Sequence, residues 1–295
     1  MTETLPEGYS TMCGHASIAL GRFLVDTQDN SVFPRRTQIA FDEERRECKI
    51  RLHAPCGVVD VTVPSVRTGE GDRVRSDPER GMQFVSVRSF AAATDVVVEV
   101  PEGLRWPELR AAGKSAVKVD VAYGGAFYVI VQEKELGFER TREGLVDMKR
   151  LDEATAVIKQ LVGEQQELFR GHGLEEDLEY LYGVIVVDDG EGRAGLGGLA
   201  EGRLGVCFFA DQQVDRSPCG SGVSARVALA RAKGLLGEGE RVRFDSLLSA
   251  RRGGEAGAFV GSSAAERVRV EGRAFYTGAC AFAVEDRFSR AGFVL

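Results

Sequence analysis

Two Cys-Gly steps carry the chemistry open to this sequence. The first is Met12-Cys13-Gly14-His15. The second lies within Asp215-Arg216-Ser217-Pro218-Cys219-Gly220-Ser221-Gly222. Each opens an Ala-rich apolar run, Ala16 to Val25 and Val223 to Ala232, and the cysteines stand 219 − 13 = 206 residues apart. With the cysteines superposed, Gly14 matches Gly220 and Ala19 matches Ala225. A thiol at a helix N-terminus feels the positive end of the macrodipole, which lowers its pKa toward neutrality. A neighbouring glycine leaves the helix-end N–H groups accessible, and those groups make an anion site that suits a carboxylate. Gly14-His15 and Gly220-Ser221-Gly222 would supply the donors. Two such helices face to face would hold one carboxylate between two thiols. That arrangement suits proton transfer at the carbon α to the carboxylate: a thiolate removes the proton from one face and a thiol delivers one to the other. Preorganised N–H donors stabilise the developing charge. The plainer alternative is two buried helical cysteines that happen to precede glycines.

The elements that must position these thiols follow from periodicity. Ala16, Ala19, Leu20, Phe23 and Leu24 recur at helical spacing, so a helix is expected over Cys13–Val25. Asp29-Asn30-Ser31 is a turn signal and Pro34 a breaker. Two strands are expected in 46–66, the second being Val58–Val63, closed by Pro64. The charged, Gly-rich stretch 67–80 reads as an exposed loop. Further strands are expected at Phe84–Arg88 and Asp95–Val100. Pro101 and Pro107 bound an irregular connection, where the boundary between two halves is placed. Beyond it, Val117–Tyr123 and Ala126–Val131 read as two β-runs meeting at Gly124-Gly125. Residues 148–170 form the best amphipathic helix, with Leu151, Ala154, Ile158, Leu161 and Leu168 on one face. Strands at 182–187 and 203–209 bracket a Gly-rich loop. The Cys219 helix is expected to run to about Leu236, with Gly237 as its cap. Val242–Leu248, Val268–Val270 and Ala274–Val284 read as strands. Short strands outnumber helices, so the fold class is α+β and not a regular βαβ alternation.

Bulk properties exclude several function classes. The chain has 295 residues, 43% of them hydrophobic and 28% charged, which is ordinary for a globular protein. A net charge of −7 argues against binding nucleic acid or an anionic membrane. No apolar run reaches the roughly 18–20 residues of a spanning helix, and the first residues lack the basic and apolar regions of a signal peptide. A cytoplasmic location with reduced thiols is expected. The six cysteines form no CxxC pair and the three histidines are scattered, so no metal site is expected. Cys207 and Cys280 sit in strand-like runs and read as small buried apolar residues, and Cys48 and Cys56 as structural. Gly190-Glu191-Gly192-Arg193-Ala194-Gly195 matches GxGxxG, but Leu196-Gly197-Gly198-Leu199 is a poor helix start, so a hairpin loop is the better reading. No cofactor motif is present.

At these residues the sequence resembles the proline racemase family, which also contains 4-hydroxyproline 2-epimerases and trans-3-hydroxy-L-proline dehydratases. The matching pieces are Met12-Cys13-Gly14-His15, Val119–Gly125, Asp215–Gly222 and Glu271–Gly278, in family order and spanning nearly the whole chain. The resemblance implies a diaminopimelate-epimerase-like architecture. Two pseudo-symmetric halves would each wrap a curved, mostly antiparallel sheet around a central helix, with the site between them. The first half would comprise 1–115 with the Cys13 helix, joined by 277–295, and the second 116–276 with the Cys219 helix. Residue by residue, Cys13 and Cys219 correspond to the catalytic cysteines. Gly14, His15, Gly220 and Ser221 correspond to substrate-binding positions, with Ser221 replacing a more usual Thr. Asp215 corresponds to the carboxylate that meets the ring nitrogen. His172 matches loosely, as much a surface-loop histidine as a substrate ligand.

Two departures bear on the reading. Members of the dehydratase branch typically carry Thr in place of the second cysteine, so Cys219 favours two-sided proton transfer. Yet Gly222–Leu229 and Gly253–Phe259 look more like the dehydratase branch. The family also has a strand-rich segment before its first Cys-Gly-His, which this chain lacks, so the first half is expected to be N-terminally truncated and the apolar faces of the Cys13 helix exposed. The resulting expectation is a cofactor-independent racemase or epimerase inverting the α-carbon of proline or hydroxyproline. The alternatives are a trans-3-hydroxy-L-proline dehydratase and an inactive truncated relative. The partner implied is a small-molecule substrate, without nucleic acid or membrane. Homodimers are common in such families.

Overall fold

The computed structural model describes residues 4–5, 8–69, 73–138, 147–188, 200–252 and 257–281. A two-stranded antiparallel ribbon, β1 (Thr4–Leu5) and β2 (Gly8–Tyr9), leads into helix α1 (Gly14–Asp26). Six strands follow: β3 (Phe41–Asp42), β4 (Glu47–Ala54), β5 (Gly57–Thr68), β6 (Arg73–Ser76), β7 (Met82–Arg88) and β8 (Phe90–Glu99). The short helix α2 (Pro107–Ala111) precedes β9 (Ala116–Tyr123) and β10 (Phe127–Gln132). Helix α3 (Met148–Gly163) leads to β11 (Leu181–Asp188), β12 (Ala200–Phe209) and β13 (Gln213–Val214). Helix α4 (Gly220–Ala232), β14 (Arg241–Asp245), helix α5 (Leu247–Arg251), β15 (Phe259–Ala264) and β16 (Arg267–Gly272) complete the described chain.

One sheet of 14 strands takes the order β3-β4-β5-β7-β16-β15-β14-β12-β11-β10-β9-β8, with β6 beside β5 and β13 beside β12. Among the described residues, only the β10–β11 and β12–β14 pairs are parallel. A parallel pair needs a long crossover, and each of these two has a helix in it, α3 and α4 respectively. This is a mixed, mostly antiparallel sheet with few helices.

Helix α4 is the centre of the fold. Every residue from Gly220 to Ala230 is buried, and it packs against α1, β8, β9, β10, β15 and β16. Its sequence explains this placement. Gly, Ser, Ala and Val line all sides, so strands can close on it from every direction instead of from one face. Arg226 is the exception in character. It lies buried with its guanidinium 4.8 Å over the Phe244 ring, and its Nη2 donates to the Leu204 carbonyl at 3.1 Å. The strands around α4 alternate with period two. In β10, Phe127, Val129 and Val131 face the core shared with α3, whereas Tyr128 and Ile130 face α4. Among the described residues, helix α1 is enclosed on one side only. Gly14, Ser17, Ile18, Gly21 and Val25 are buried against β5, β6 and β7, while Ala19 and Phe23 are exposed.

Several sequence expectations change. Strand β5 runs on through Pro64, because the chain exchanges neighbours there: Glu47 of β4 opposes Pro64, and from Ser65 onward the partner is β6. The expected loop at 67–80 therefore contains half of a hairpin. Helix α3 stops at Gly163, and Gln166–Leu168 forms a separate 3-10 turn. Helix α4 ends earlier than expected, and Gly234, at φ 69°, takes the left-handed position in place of Gly237. Residues 274–281 carry no strand, and Cys280 is exposed instead of buried. The loop Gly190–Gly195, the segment 282–295 and part of Gly253–Phe259 lie outside the described residues. No helix among the described residues is long and apolar enough to cross a membrane.

The β9–β10 turn shows how tightly α4 is held. A Cβ on Gly124 would lie 2.2 Å from the Ser221 carbonyl oxygen and 2.4 Å from the Ala225 nitrogen, both backbone atoms that cannot swing aside. Gly124→Ala is expected to cost about 3 kcal/mol. The check is urea denaturation, which should show a lower midpoint at an unchanged slope.

Candidate active site

Cys13 is the N-cap of α1, in extended backbone conformation, and its Sγ accepts the Ala16 N–H at 3.4 Å. Its carbonyl accepts the Ser17 N–H at 3.0 Å and the Ser17 hydroxyl at 2.9 Å, which fixes the first turn. The N–H groups of Gly14 and His15 are then the first two of the helix and have no acceptor within it.

Cys219 is presented by a chain of local hydrogen bonds. The Asp215 N–H donates to the Cys207 carbonyl of β12 at 2.9 Å. The Ser217 N–H donates to Asp215 Oδ1 at 2.8 Å, and the Cys219 N–H donates to Ser217 Oγ at 3.0 Å. The Ser246 hydroxyl ties down the Arg216 carbonyl at 2.7 Å. Each short polar side chain turns the backbone once. The last turn leaves Cys219 at φ 64°, ψ 109°, a region that L-residues avoid and that costs of order 1–3 kcal/mol. It thereby becomes the N-cap of α4, ahead of the N–H groups of Gly220 and Ser221.

The two helix tips touch. A Cβ on Gly14 would lie 2.7 Å from the Gly220 Cα, and one on Gly220 would lie 2.6 Å from the Gly14 Cα. The Phe84 ring packs against both positions. Cys13, Gly14, His15, Asp215, Cys219, Gly220 and Ser221 consequently line one cavity. The structure thus gathers seven of the eight residues singled out in the sequence. His172 is elsewhere: its ring packs 5.0 Å from Phe90 and 5.8 Å from Phe127, its Nε2 meets the Leu168 carbonyl at 3.2 Å, and it does not line this cavity.

The remaining wall holds residues that the sequence reading did not single out for the site. Ser10, Met12, Tyr128, Tyr182, Phe209 and Ser217 complete the lining. Tyr128 Oη lies 3.3 Å from Cys219 Sγ and 2.8 Å from Ser221 Oγ. The Tyr182 hydroxyl donates to Ser10 Oγ at 3.4 Å. Cys207, expected as a core residue, is buried and also acts on Cys219, lowering its pKa. The signal that could have found Tyr128 and Tyr182 is the strand period, which turns both toward α4 and away from the apolar core beyond the sheet.

The surroundings lower the pKa of Cys219. Cys207 acts on its sulfur, and the Tyr128 hydroxyl and Gly222 N–H add to this. Together they hold its pKa below the usual thiol value, against burial and the charge of Asp215. The Cys207 pKa is pushed up by that same interaction and by burial. Burial lowers the pKa of His15, and Asp215 offsets part of this. The imidazole packs 4.6 Å from the Phe259 ring. Among the described residues no cluster of three His, Cys, Asp or Glu forms a metal site.

Comparison with known proteins places this architecture. The family model described as proline racemase matches residues 4–293. A trans-L-3-hydroxyproline dehydratase of Xenopus tropicalis is 36% identical over 98% of this chain and 73% of its own length. The trans-3-hydroxy-L-proline dehydratase of Homo sapiens is 38% identical over 98% of this chain and 72% of its own. In structure, a hydroxyproline epimerase from Agrobacterium vitis, solved with bound trans-4-hydroxy-L-proline, superposes with a TM-score of 0.63. It is 20% identical and is matched over 92% of this chain and 67% of its own. A probable proline racemase from Agrobacterium radiobacter K84 gives a TM-score of 0.62 at 20% identity, over 95% of this chain and 70% of its own. With the family match running nearly end to end, this chain belongs to the proline racemase family.

Proposed function

We propose that the chain is a cofactor-independent racemase or epimerase that inverts the α-carbon of proline or hydroxyproline. The observation that carries this reading is the pair of thiols, Cys13 and Cys219, each at the N-terminus of a helix and both lining one cavity. The substrate carboxylate sits at the N–H groups of Gly14, His15, Gly220 and Ser221, where two helix dipoles converge on it. The ring nitrogen, a cationic secondary amine, meets Asp215. Cys219, whose pKa its neighbours hold below the ordinary thiol value, serves as the base. It takes the α-proton, and the electron pair left on carbon delocalises into the carboxylate, where the N–H donors stabilise the added charge. The Cys13 thiol then protonates the carbon from the opposite face. The reverse reaction exchanges the two roles.

A second reading, dehydration of trans-3-hydroxy-L-proline, is favoured by the relatives at 36–38% identity that bear that name. The first step is the same. The 3-hydroxyl then leaves as water with the proton held on the Cys219 sulfur, which returns to thiolate, and the resulting enamine tautomerises to a pyrroline, so one thiol suffices. Assays in D2O separate the two. Inversion of L-proline or trans-4-hydroxy-L-proline puts deuterium on the α-carbon of the opposite isomer. Dehydration of trans-3-hydroxy-L-proline gives a cyclic imine and no inverted substrate.

Cys13→Ser and Cys219→Ser are each expected to lose about a thousandfold in kcat for inversion. Full inversion by Cys219→Ser would overturn the two-thiol reading. His15 is expected to remain neutral at pH 7, and with only three histidines its ring protons are readily assigned by NMR. Its titration midpoint should lie below the ordinary 6.5. Between 6.5 and that lower value the unfolded chain holds the proton and the folded chain does not, so stability should fall as pH drops through this window. Unfolding measured at several pH values checks the sign.

A further inference from the structure

Cys219 must be held in place both as thiolate and as thiol, since the proposed reaction passes through both. A single donor aimed at the sulfur would serve only the first state. Beyond the two thiols, we infer that Tyr128 and Ser221 form a hydrogen-bond chain whose direction reverses with the protonation of Cys219, which makes Tyr128 a positioning residue for catalysis. The inference rests on the two-thiol reading for its role in turnover.

The three heavy atoms form a compact set. Tyr128 Oη is 2.8 Å from Ser221 Oγ and 3.3 Å from Cys219 Sγ, and the ends of the chain, Ser221 Oγ and Cys219 Sγ, are 3.8 Å apart. Every bond in it is one that either oxygen or the sulfur can donate. When Cys219 is a thiolate, the Ser221 hydroxyl donates to Tyr128 and the Tyr128 hydroxyl donates to sulfur. When Cys219 is a thiol, its S–H points at Tyr128 and the Tyr128 hydroxyl turns to Ser221. Only hydrogens move. The proton taken from the substrate stays on sulfur and the tyrosine never ionises, since burial raises its pKa well above the ordinary value.

The framework resists any other response. Tyr128 is fully buried, edge-on to the Tyr182 ring with centroids 5.7 Å apart, and Ser221 lies in the first turn of the enclosed helix α4. The titratable groups around the sulfur are Cys207 on β12, Tyr128 on β10, Tyr182 on β11 and Asp215 before α4. Cys13 and His15 line the cavity from α1. Of these, Cys207 also lowers the pKa of Cys219.

The test is Tyr128→Phe in the full chain, which removes one oxygen and keeps the ring contacts. Alkylation of Cys219 by iodoacetamide, followed peptide by peptide in a mass spectrometer across a pH series, reports its ionisation without reference to turnover. The midpoint is expected to rise by about one pH unit, a tenfold loss of thiolate near neutrality. The acid limb of kcat/KM for inversion should move with it, with kcat lowered about tenfold or more and KM little changed. Cys207→Ala should raise the alkylation midpoint too, but leave the Tyr128-dependent shift intact in the double variant. An unchanged midpoint in Tyr128→Phe overturns the inference. If the unaltered chain inverts none of the proline substrates, the two-thiol reading fails instead, and the alkylation series still decides what Tyr128 does to Cys219.

Discussion

The contact between Gly14 and Gly220 governs this structure. Two helix N-termini repel each other, since each ends in a partial positive charge and a ring of unsatisfied N–H groups. Bringing them within van der Waals contact leaves no room for a side chain on either residue, and a Cβ would intrude to 2.7 Å or less on both sides. The molecule accepts this cost because the rest of the sheet clamps the two helices. β7 and β16 pair directly, so the strands under α1 continue without a break into those around α4. The converging dipoles then make a place where negative charge is welcome, and a thiol stands beside each.

The two thiols are reached by different routes. Cys13 caps its helix in an ordinary extended conformation and uses its own sulfur to receive the Ala16 N–H. Cys219 is carried on a strained residue that its surroundings over-determine, with Asp215, Ser217 and Ser246 each holding one backbone group. The sulfur also faces the side chains of Tyr128 and Ser221, and Cys207 acts on it too. One thiol is built into a helix start, and the other into a polar network. That asymmetry is a reason to expect different resting states in two cysteines that the sequence presents as echoes.

Much of the site was legible because its residues are sequence neighbours. Cys13 to His15 and Asp215 to Ser221 are short contiguous pieces, and a Cys-Gly step before an Ala-rich run announces a helix start. The parts that were not legible come from strands. Tyr128, Tyr182 and Cys207 sit in runs such as Phe127–Val131 that read as apolar β-core, and only the sheet order decides which face meets α4. His172 was proposed on a loose match, and its loop packs it on Phe90 and Phe127 instead. Pro64 looked like a strand end because a proline cannot donate to a ladder, yet here the ladder changes partner at that residue. Gly237 lost the cap to Gly234, since either glycine can take a positive φ and sequence alone does not say which turn closes first.

The enclosure of α4 has a consequence for how the protein comes apart. Val223, Val227 and Ala230 belong to the core shared with α1, while Cys219, Ala225 and Leu229 belong to the one under β10, β11 and β12. One helix therefore serves two cores. Its first turn cannot fray without opening both, so its amides exchange with solvent only through events close to global unfolding. In many enzymes the working loops are the least stable part. Here Cys219 stands at the start of one of the most protected segments, and the cavity should persist until the fold itself is lost.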